Sequence, residues 1–360
     1  MFCDIFDSVL KYTQNKILHE FRQPMDELSI KDVFEKKRAF CVAVGIILVL
    51  GLLYVVVGWS TWAVDPIESA TQFCENISDG LVKEPVNAMS NFTYIIVGLV
   101  ILWNLPVKQE LAKNPMMENG LYPLIFAAGS IYIGVGSFAM HGTNTNWGTS
   151  MDWTGMLFFI SFPVYYNLSR QFSWSDEFFI KVFCTAFLLT AIFDTYAAYN
   201  NHVLIENFSN SKKLKLSQLT RDYLWSLYIG VWILQEVKNL TQNQLIWMVA
   251  APLIACVTLS VGAPTMQIIA LCLMFTIIAL ILHYNPGQDL LRQPSPHLWI
   301  GLGCYVAGNI VWRLGRHDQS TCNPDSLFQY HALWHLLTGL AVYFFYRYFL
   351  TEQTISNEEN

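Results

Sequence analysis

The chain has 360 residues, of which 54% are hydrophobic and only 13% are charged, and its formal net charge is −6. Water-soluble domains contain about 25% charged residues, so this composition argues against a soluble globular protein. The slight excess of acidic residues also argues against a nucleic-acid-binding surface, which needs clustered Lys and Arg.

Apolar stretches recur along the chain, and each is about 20 residues long, which is the length of a helix that crosses a bilayer. They predict ten spans, at 41–59, 87–104, 121–140, 149–168, 177–199, 219–236, 244–262, 265–284, 297–314 and 329–349. The sixth stretch is short and has charges at both ends, so it could instead lie along the membrane interface. The sequence therefore predicts an all-α polytopic membrane protein.

Basic residues concentrate on the cytosolic side of membrane proteins, and they predict the orientation of this chain. Residues 1–40 hold seven of them, Lys11, Lys16, Arg22, Lys31, Lys36, Lys37 and Arg38. The N-terminus is therefore expected in the cytosol, and an even number of spans returns the C-terminus to the same side. This topology places three lysines on the outer side, against the cytosolic bias of basic residues, namely Lys212, Lys213 and Lys215. Residues 351–360 are polar and are predicted to form a disordered tail.

The segment between the first two predicted spans is acidic, as expected for a loop that faces outward. Between Pro66 and Pro85 its acidic residues are Glu68, Glu75, Asp79 and Glu84, against a single Lys83. Cys74 in this loop and Cys322 far downstream are both expected on the outer side. A disulfide between them is one option, although cysteine spacing alone does not establish a pairing.

Five residues with chemically useful side chains are predicted to meet near the outer face. His141 closes the third span and Asp152 opens the fourth, so a short turn sets both at one depth. Ser137 precedes His141 by four residues and therefore shares its helix face. The last span begins QYHALWHLL, which places His331 and His335 on one face, one turn apart. Three imidazoles, a carboxylate and a hydroxyl thus converge from three helices.

Three imidazoles and a water form an open tetrahedral zinc site, which lowers the pKa of that water to about 7. Asp152 could then accept a proton from the water, and Ser137 could orient the water or stabilise an oxyanion. A different class of function remains open, because a transporter or receptor could use the same cluster as a proton relay or ligand pocket. Asp194, a further acid within an apolar stretch, is interpreted as a helix-packing or pathway residue.

Several short motifs carry a family resemblance. They are CEN (Cys74–Asn76), EPVNAMSN (Glu84–Asn91), GSFAMH (Gly136–His141), MD (Met151–Asp152) and HALWHLLTG beginning at His331. In order, internal spacing and position at helix ends, they resemble the alkaline ceramidases, within the CREST superfamily of membrane hydrolases. The helices between the motifs align by hydropathy alone.

The resemblance implies a seven-helix core whose N-terminus faces outward. Here that ceramidase-like domain would cover residues 60–350, preceded by the cytosolic segment 1–40 and an additional transmembrane helix at 41–59. Two further helices would be inserted within 177–236, which gives about three helices beyond the core. An odd number of added helices moves the N-terminus to the cytosol without inverting the core, in agreement with the distribution of basic residues.

The resemblance also implies an activity, namely zinc-dependent hydrolysis of ceramide-like membrane lipids to a sphingoid base and a fatty acid. His141, His331 and His335 would bind Zn²⁺, Asp152 would be the acid/base, and Ser137 would support an oxyanion or the water. Three more polar residues would lie beside the site, namely Asn87, Ser90 and Asn91. An acyl-ester hydrolase of phospholipid or glycolipid is the alternative within the same superfamily.

The resemblance also implies a Ca²⁺ site in the loop before the first core helix. The matching residues here are Glu75, Asn76 and Glu84, with a backbone oxygen from Phe73, and oxygen ligands of this kind suit calcium. The chain departs from the pattern at Gln72, where the family has an acidic residue, and in a shorter spacing between Asn76 and Glu84. A solvated acidic loop without calcium is the alternative.

Overall fold

The computed structural model is almost entirely helical, and the all-α class predicted from the sequence is confirmed. It describes residues 37–61, 73–105, 114–117, 120–200, 203–209, 212–241, 248–249, 252–253, 265–285, 287–292 and 294–353. The segment 1–36, which includes most of the predicted cytosolic N-terminal region, lies outside the described residues.

The helices and strands of the described residues are numbered here in chain order. They are α1 (Arg38–Thr61), α2 (Pro85–Ser90), α3 (Phe92–Trp103), α4 (Leu121–Thr143), α5 (Asn146–Gln171), α6 (Asp176–Asn200), β1 (Val203–Ser209), β2 (Lys212–Lys215), α7 (Leu216–Leu240), α8 (Thr265–Tyr284), α9 (Pro296–Leu314) and α10 (Tyr330–Phe349). Asn91 alone separates α2 from α3.

Nine of the ten predicted spans fall on these helices, whereas 244–262 lies largely outside the described residues. Four described segments are long and apolar enough to cross a membrane: Arg38–Val57, Pro85–Trp103, Leu121–Thr143 and Asp176–Ala197. Their length and composition support a membrane protein. The number of core helices and the side on which each terminus lies remain predictions.

A small hairpin was not predicted. Strands β1 and β2 pair antiparallel, with Val203 opposite Lys215 and Ser209 opposite Lys212. Hydropathy predicts a loop here, and its lysines fall on the unexpected side of the membrane. The strands have seven and four residues. Elements of this size are too short to appear in a hydropathy pattern of spans about 20 residues long.

Aromatic rings fill one end of the helix bundle. Phe126 comes from the beginning of α4, Phe162 and Tyr166 from the second half of α5, and Phe349 from the end of α10. The ring centroids of Phe126 and Phe162 lie 5.5 Å apart, and those of Tyr166 and Phe349 lie 5.4 Å apart, both edge to face. Because α4 and α5 run antiparallel, this aromatic core lies at the end of the bundle away from His141.

A buried group of charged residues holds the same end together. The guanidinium of Arg292 donates to Glu236 at 2.7 Å, to Glu352 at 2.9 Å and to Asn167 at 2.6 Å. Arg170 donates to the second oxygen of Glu352 at 2.9 Å. Two cations and two carboxylates therefore balance one another and tie α5, α7 and the end of α10 to the α8–α9 loop. Removing one partner would leave an uncompensated buried charge, which is strongly destabilising.

This group also includes the first residues after α10. Burial lowers the pKa of Arg292, but Glu236 and Glu352 outweigh this effect, and the net shift is upward. Glu352 is buried among these partners. Of the predicted tail, residues 351–353 are described and 354–360 lie outside the described residues, so the disordered tail remains a prediction.

Candidate metal centre

Three histidines meet at the other end of the bundle. His141 lies in the last turn of α4, and His331 and His335 lie in the first two turns of α10. One ring nitrogen from each lies within 4.8 Å of the other two, and all three side chains are buried. The Nε2 atoms of His141 and His331 are 3.2 Å apart. The structure thus brings together the three imidazoles that the helix-end positions predict.

The connection between α4 and α5 is shorter than the sequence suggests. Helix α4 continues to Thr143 and α5 begins at Asn146, so both helices extend into the predicted turn. Asn144 reverses the chain in the left-handed conformation, with φ of 55°, which asparagine tolerates better than most residues. Thr145 then caps α5 by accepting the N–H of Gly148. Asp152 consequently lies in the second turn of α5, facing the end of α4.

Close contact between these helices brings Ser137 to Asp152. A Cβ atom at Gly136 would lie 2.5 Å from the carbonyl oxygen of Met151, so only glycine permits this approach. The hydroxyl of the next residue, Ser137, is hydrogen bonded to the Asp152 carboxylate, which also interacts electrostatically with His141. Ser137 and Asp152 are both buried. The predicted carboxylate and hydroxyl therefore lie together beside the histidines.

Glu84 orients His141. Its carboxylate lies 2.7 Å from Nδ1 of His141. A carboxylate only accepts hydrogen bonds, so a ring proton is on Nδ1, and in the neutral imidazole Nε2 then carries a lone pair. The backbone reinforces this contact, since the N–H of Glu84 donates to the carbonyl oxygen of His141 at 2.9 Å. The family resemblance implies calcium binding by Glu84, and nothing in the sequence indicates this contact with His141.

Ser90 orients His335 by the same logic. Nδ1 of His335 lies 2.7 Å from the Ser90 hydroxyl. That hydroxyl donates its only proton to the carbonyl oxygen of Asn87 at 2.6 Å. Ser90 must therefore accept from Nδ1 of His335, which again leaves Nε2 with a bare lone pair.

These orientations fit a metal ion. Zinc binds imidazole nitrogen at about 2.0–2.1 Å, so two nitrogen ligands of a tetrahedral site lie about 3.4 Å apart. The distance of 3.2 Å between His141 and His331 is close to this value. Nitrogen lone pairs that face each other repel unless a cation or a shared proton lies between them. The buried imidazoles could therefore hold a metal ion.

An aromatic ring covers the centre from the loop before α2. The ring of Phe73 stacks on His331, with 3.6 Å between centroids. A backbone bridge between Phe73 and Arg316 and the disulfide between Cys74 and Cys322 fix this loop to the segment before α10. The disulfide realises the option raised by the sequence, whereas the role of the Phe73 ring was missed.

The residues predicted to bind calcium have other partners. Both oxygens of the Glu75 carboxylate accept backbone N–H groups at the start of α2, at 2.7 and 2.8 Å. Burial raises the pKa of Glu75, and these two hydrogen bonds oppose that rise. Asn76 donates to Asp325 at 2.6 Å, and Glu84 bonds the histidine ring. Calcium binding by Glu75, Asn76 and Glu84 remains a prediction.

We expect Glu84→Gln to weaken zinc binding by about 10-fold, because glutamine keeps the shape but loses the negative charge that supports His141. The measurement is competition for zinc against a chelator. Glu75→Gln is the matched control, since that carboxylate bonds backbone N–H groups rather than a histidine. Equal zinc affinity in Glu84→Gln and the parent would contradict the role given to Glu84.

Comparison with known proteins supports the family resemblance. Residues 65–211 match the family model described as Ceramidase. The comparison with curated proteins gives no match. The matched segment contains Ser137, His141 and Asp152, whereas His331 and His335 lie beyond it and join the centre through the fold. The resemblance to the ceramidases is confirmed.

Proposed function

Because residues 65–211 match the ceramidases, we propose that this chain is a zinc-dependent intramembrane amidase. Its substrates are ceramide-like lipids, which it hydrolyses to a sphingoid base and a free fatty acid. The observation that carries the proposal is the buried cluster of His141, His331 and His335, in which Glu84 and Ser90 leave nitrogen lone pairs directed inward.

The three histidines would hold the zinc ion. When bound with an open position, zinc activates water and polarises a carbonyl group. The donor set supports zinc over the harder cations calcium and magnesium, which prefer oxygen ligands. Phe73 shields His331 on one side, so access to the centre is restricted from the loop.

Asp152 supplies the proton transfers. Amide hydrolysis adds hydroxide to the acyl carbon and a proton to the departing nitrogen, so one group must move a proton from water to the amine. Asp152 is a buried carboxylate beside the histidines, and it is the acid proposed for both transfers. Ser137 donates to this carboxylate and thereby fixes its orientation.

The membrane setting supports a lipid substrate. The helices that carry the centre lie in a bundle with outward apolar side chains, including Ile96 and Leu124. A ceramide-like lipid can keep its two alkyl chains in the bilayer while its amide reaches the buried histidines. Both termini are proposed to be cytosolic, which places the centre near the outer face.

The decisive experiment is mass spectrometry of lipids incubated with the purified protein, with zinc analysis of the same sample. We expect equimolar sphingoid base and fatty acid from a ceramide series, and about one zinc per chain. Phosphatidylcholine and a glycolipid are the control substrates. Fatty acid released from these lipids alone would assign the chain to ester hydrolysis. Intact lipids together with metal-independent ligand transport would contradict an enzyme.

A further inference from the structure

Helix α1 precedes the part of the chain that matches the ceramidases, and most of its second half faces away from the protein. Its exposed aliphatic side chains there are Leu50, Leu52, Leu53, Val55, Val56 and Val57. Within residues 50–57, Tyr54 is the one residue whose side chain is partly buried. A polar hydroxyl in such an apolar helix needs a hydrogen-bond partner, because leaving it unpaired in an apolar environment is costly.

The Tyr54 hydroxyl finds its partners at the edge of the histidine centre. It lies 2.8 Å from the carbonyl oxygen of Gly142 and 2.9 Å from that of Leu81, and it shares its single proton between these two acceptors. Its ring packs edge to face on Phe138, with 5.3 Å between centroids. One hydroxyl therefore joins the end of α4 to the loop before α2.

These two segments carry the pair that orients the metal centre. The N–H of Lys83 donates to the same carbonyl oxygen of Gly142 at 2.9 Å, and the N–H of Glu84 donates to His141. The Glu84 carboxylate then reaches Nδ1 of His141. Tyr54 thus bonds the backbone at Gly142, next to His141, and at Leu81, three residues before Glu84.

We propose that Tyr54 is a positioning residue that clamps the loop 81–84 onto the end of α4. Its hydroxyl keeps the Glu84 carboxylate on His141, so helix α1 supports the metal centre. The metal part of this inference rests on the proposed function, whereas the clamp is a property of the fold and can be measured without metal.

Tyr54→Phe removes the hydroxyl and keeps the ring that packs on Phe138. We expect hydrogen exchange at the backbone amides of Lys83 and Glu84 to become about 3- to 10-fold faster, the scale of one lost hydrogen bond. Zinc loss to a chelator should accelerate by about the same factor, and kcat should fall while KM changes little. Phe40→Leu is the control, because Phe40 packs on Trp103 at the other end of α1.

A second variant perturbs the clamp while keeping the tyrosine. A Cβ atom at Gly142 would lie 2.7 Å from the Tyr54 hydroxyl oxygen but 3.3 Å from its nearest ring carbon. Gly142→Ala should therefore accelerate exchange at Lys83 and Glu84 in the parent. In the Tyr54→Phe background the same change should have little further effect, because residues in contact give non-additive results.

Unchanged exchange at both amides in Tyr54→Phe, or additive effects of the two substitutions, would overturn the clamp. If Tyr54→Phe does not fold, exchange in Gly142→Ala alone decides the question, and parent-like protection would count against it. If the parent neither binds zinc nor hydrolyses lipid, the proposed function fails, and the exchange measurements still decide the role of Tyr54.

Discussion

Replacing either His331 or His335 by alanine is expected to remove most of the bound zinc, from about one ion per chain to less than about a tenth. Each substitution leaves two imidazoles in a buried site, and two ligands do not complete the usual three-histidine set. Hydrolysis should be lost with the metal. The measurement is elemental analysis of purified variants, alongside product release from ceramide.

His317→Ala is the matched control, because His317 is exposed in the segment just before α10 and lies outside the cluster. It should keep the zinc content and activity of the parent. Replacing a buried side chain with a smaller one also destabilises a protein, so the thermal unfolding of each variant is measured in parallel. If both His331→Ala and His335→Ala retained the zinc content of the parent, these residues would not be its ligands.

The meeting of these histidines could be predicted because each lies at a helix end. Hydropathy locates the ends of long apolar helices, and residues at corresponding ends share a depth in the membrane. His141, His331 and His335 were therefore placed together although 190 residues separate the first two. The four-residue spacing within α10 fixed the common face of the last pair.

The partners of these histidines could not be predicted in the same way. An acidic loop shows a surplus of carboxylates, but the direction of each side chain depends on backbone contacts made after folding. Glu84 faces His141 because its own N–H pairs with the end of α4. Glu75, equally acidic in sequence, instead accepts N–H groups at the start of α2. Sequence alone gives no reason to separate the two.

The buried charges at the opposite end illustrate a second limit. Arg292 is separated by 125 residues from Asn167 and by 60 from Glu352. Each of these residues alone looks like an ordinary charged or polar residue at the end of a membrane helix. Only the packing of α5 and α7 against the end of α10 shows that they compensate one another. Pairings between distant segments leave no local pattern.

Asp152→Asn is expected to retain zinc and the fold but to lower kcat by about 10²-fold or more, the usual scale for a positioned acid/base. Asparagine has nearly the same size and can still accept from Ser137. It cannot take a proton from water and return it to the leaving amine. The measurement is sphingoid-base release from a ceramide series, with the zinc content of each sample determined in parallel.

Ser137→Ala tests whether the Ser137 hydroxyl only orients the Asp152 carboxylate or also stabilises the oxyanion. If Ser137 only orients the Asp152 carboxylate, its loss should cost less than the loss of the acid itself. A cost of similar size would indicate that the hydroxyl also stabilises the oxyanion.

Asp194→Asn controls for the loss of a buried charge, because Asp194 pairs with Arg221 at 2.7 Å. That variant should lose thermal stability with a much smaller loss of turnover. Full turnover in Asp152→Asn, with zinc retained, would remove Asp152 from the mechanism.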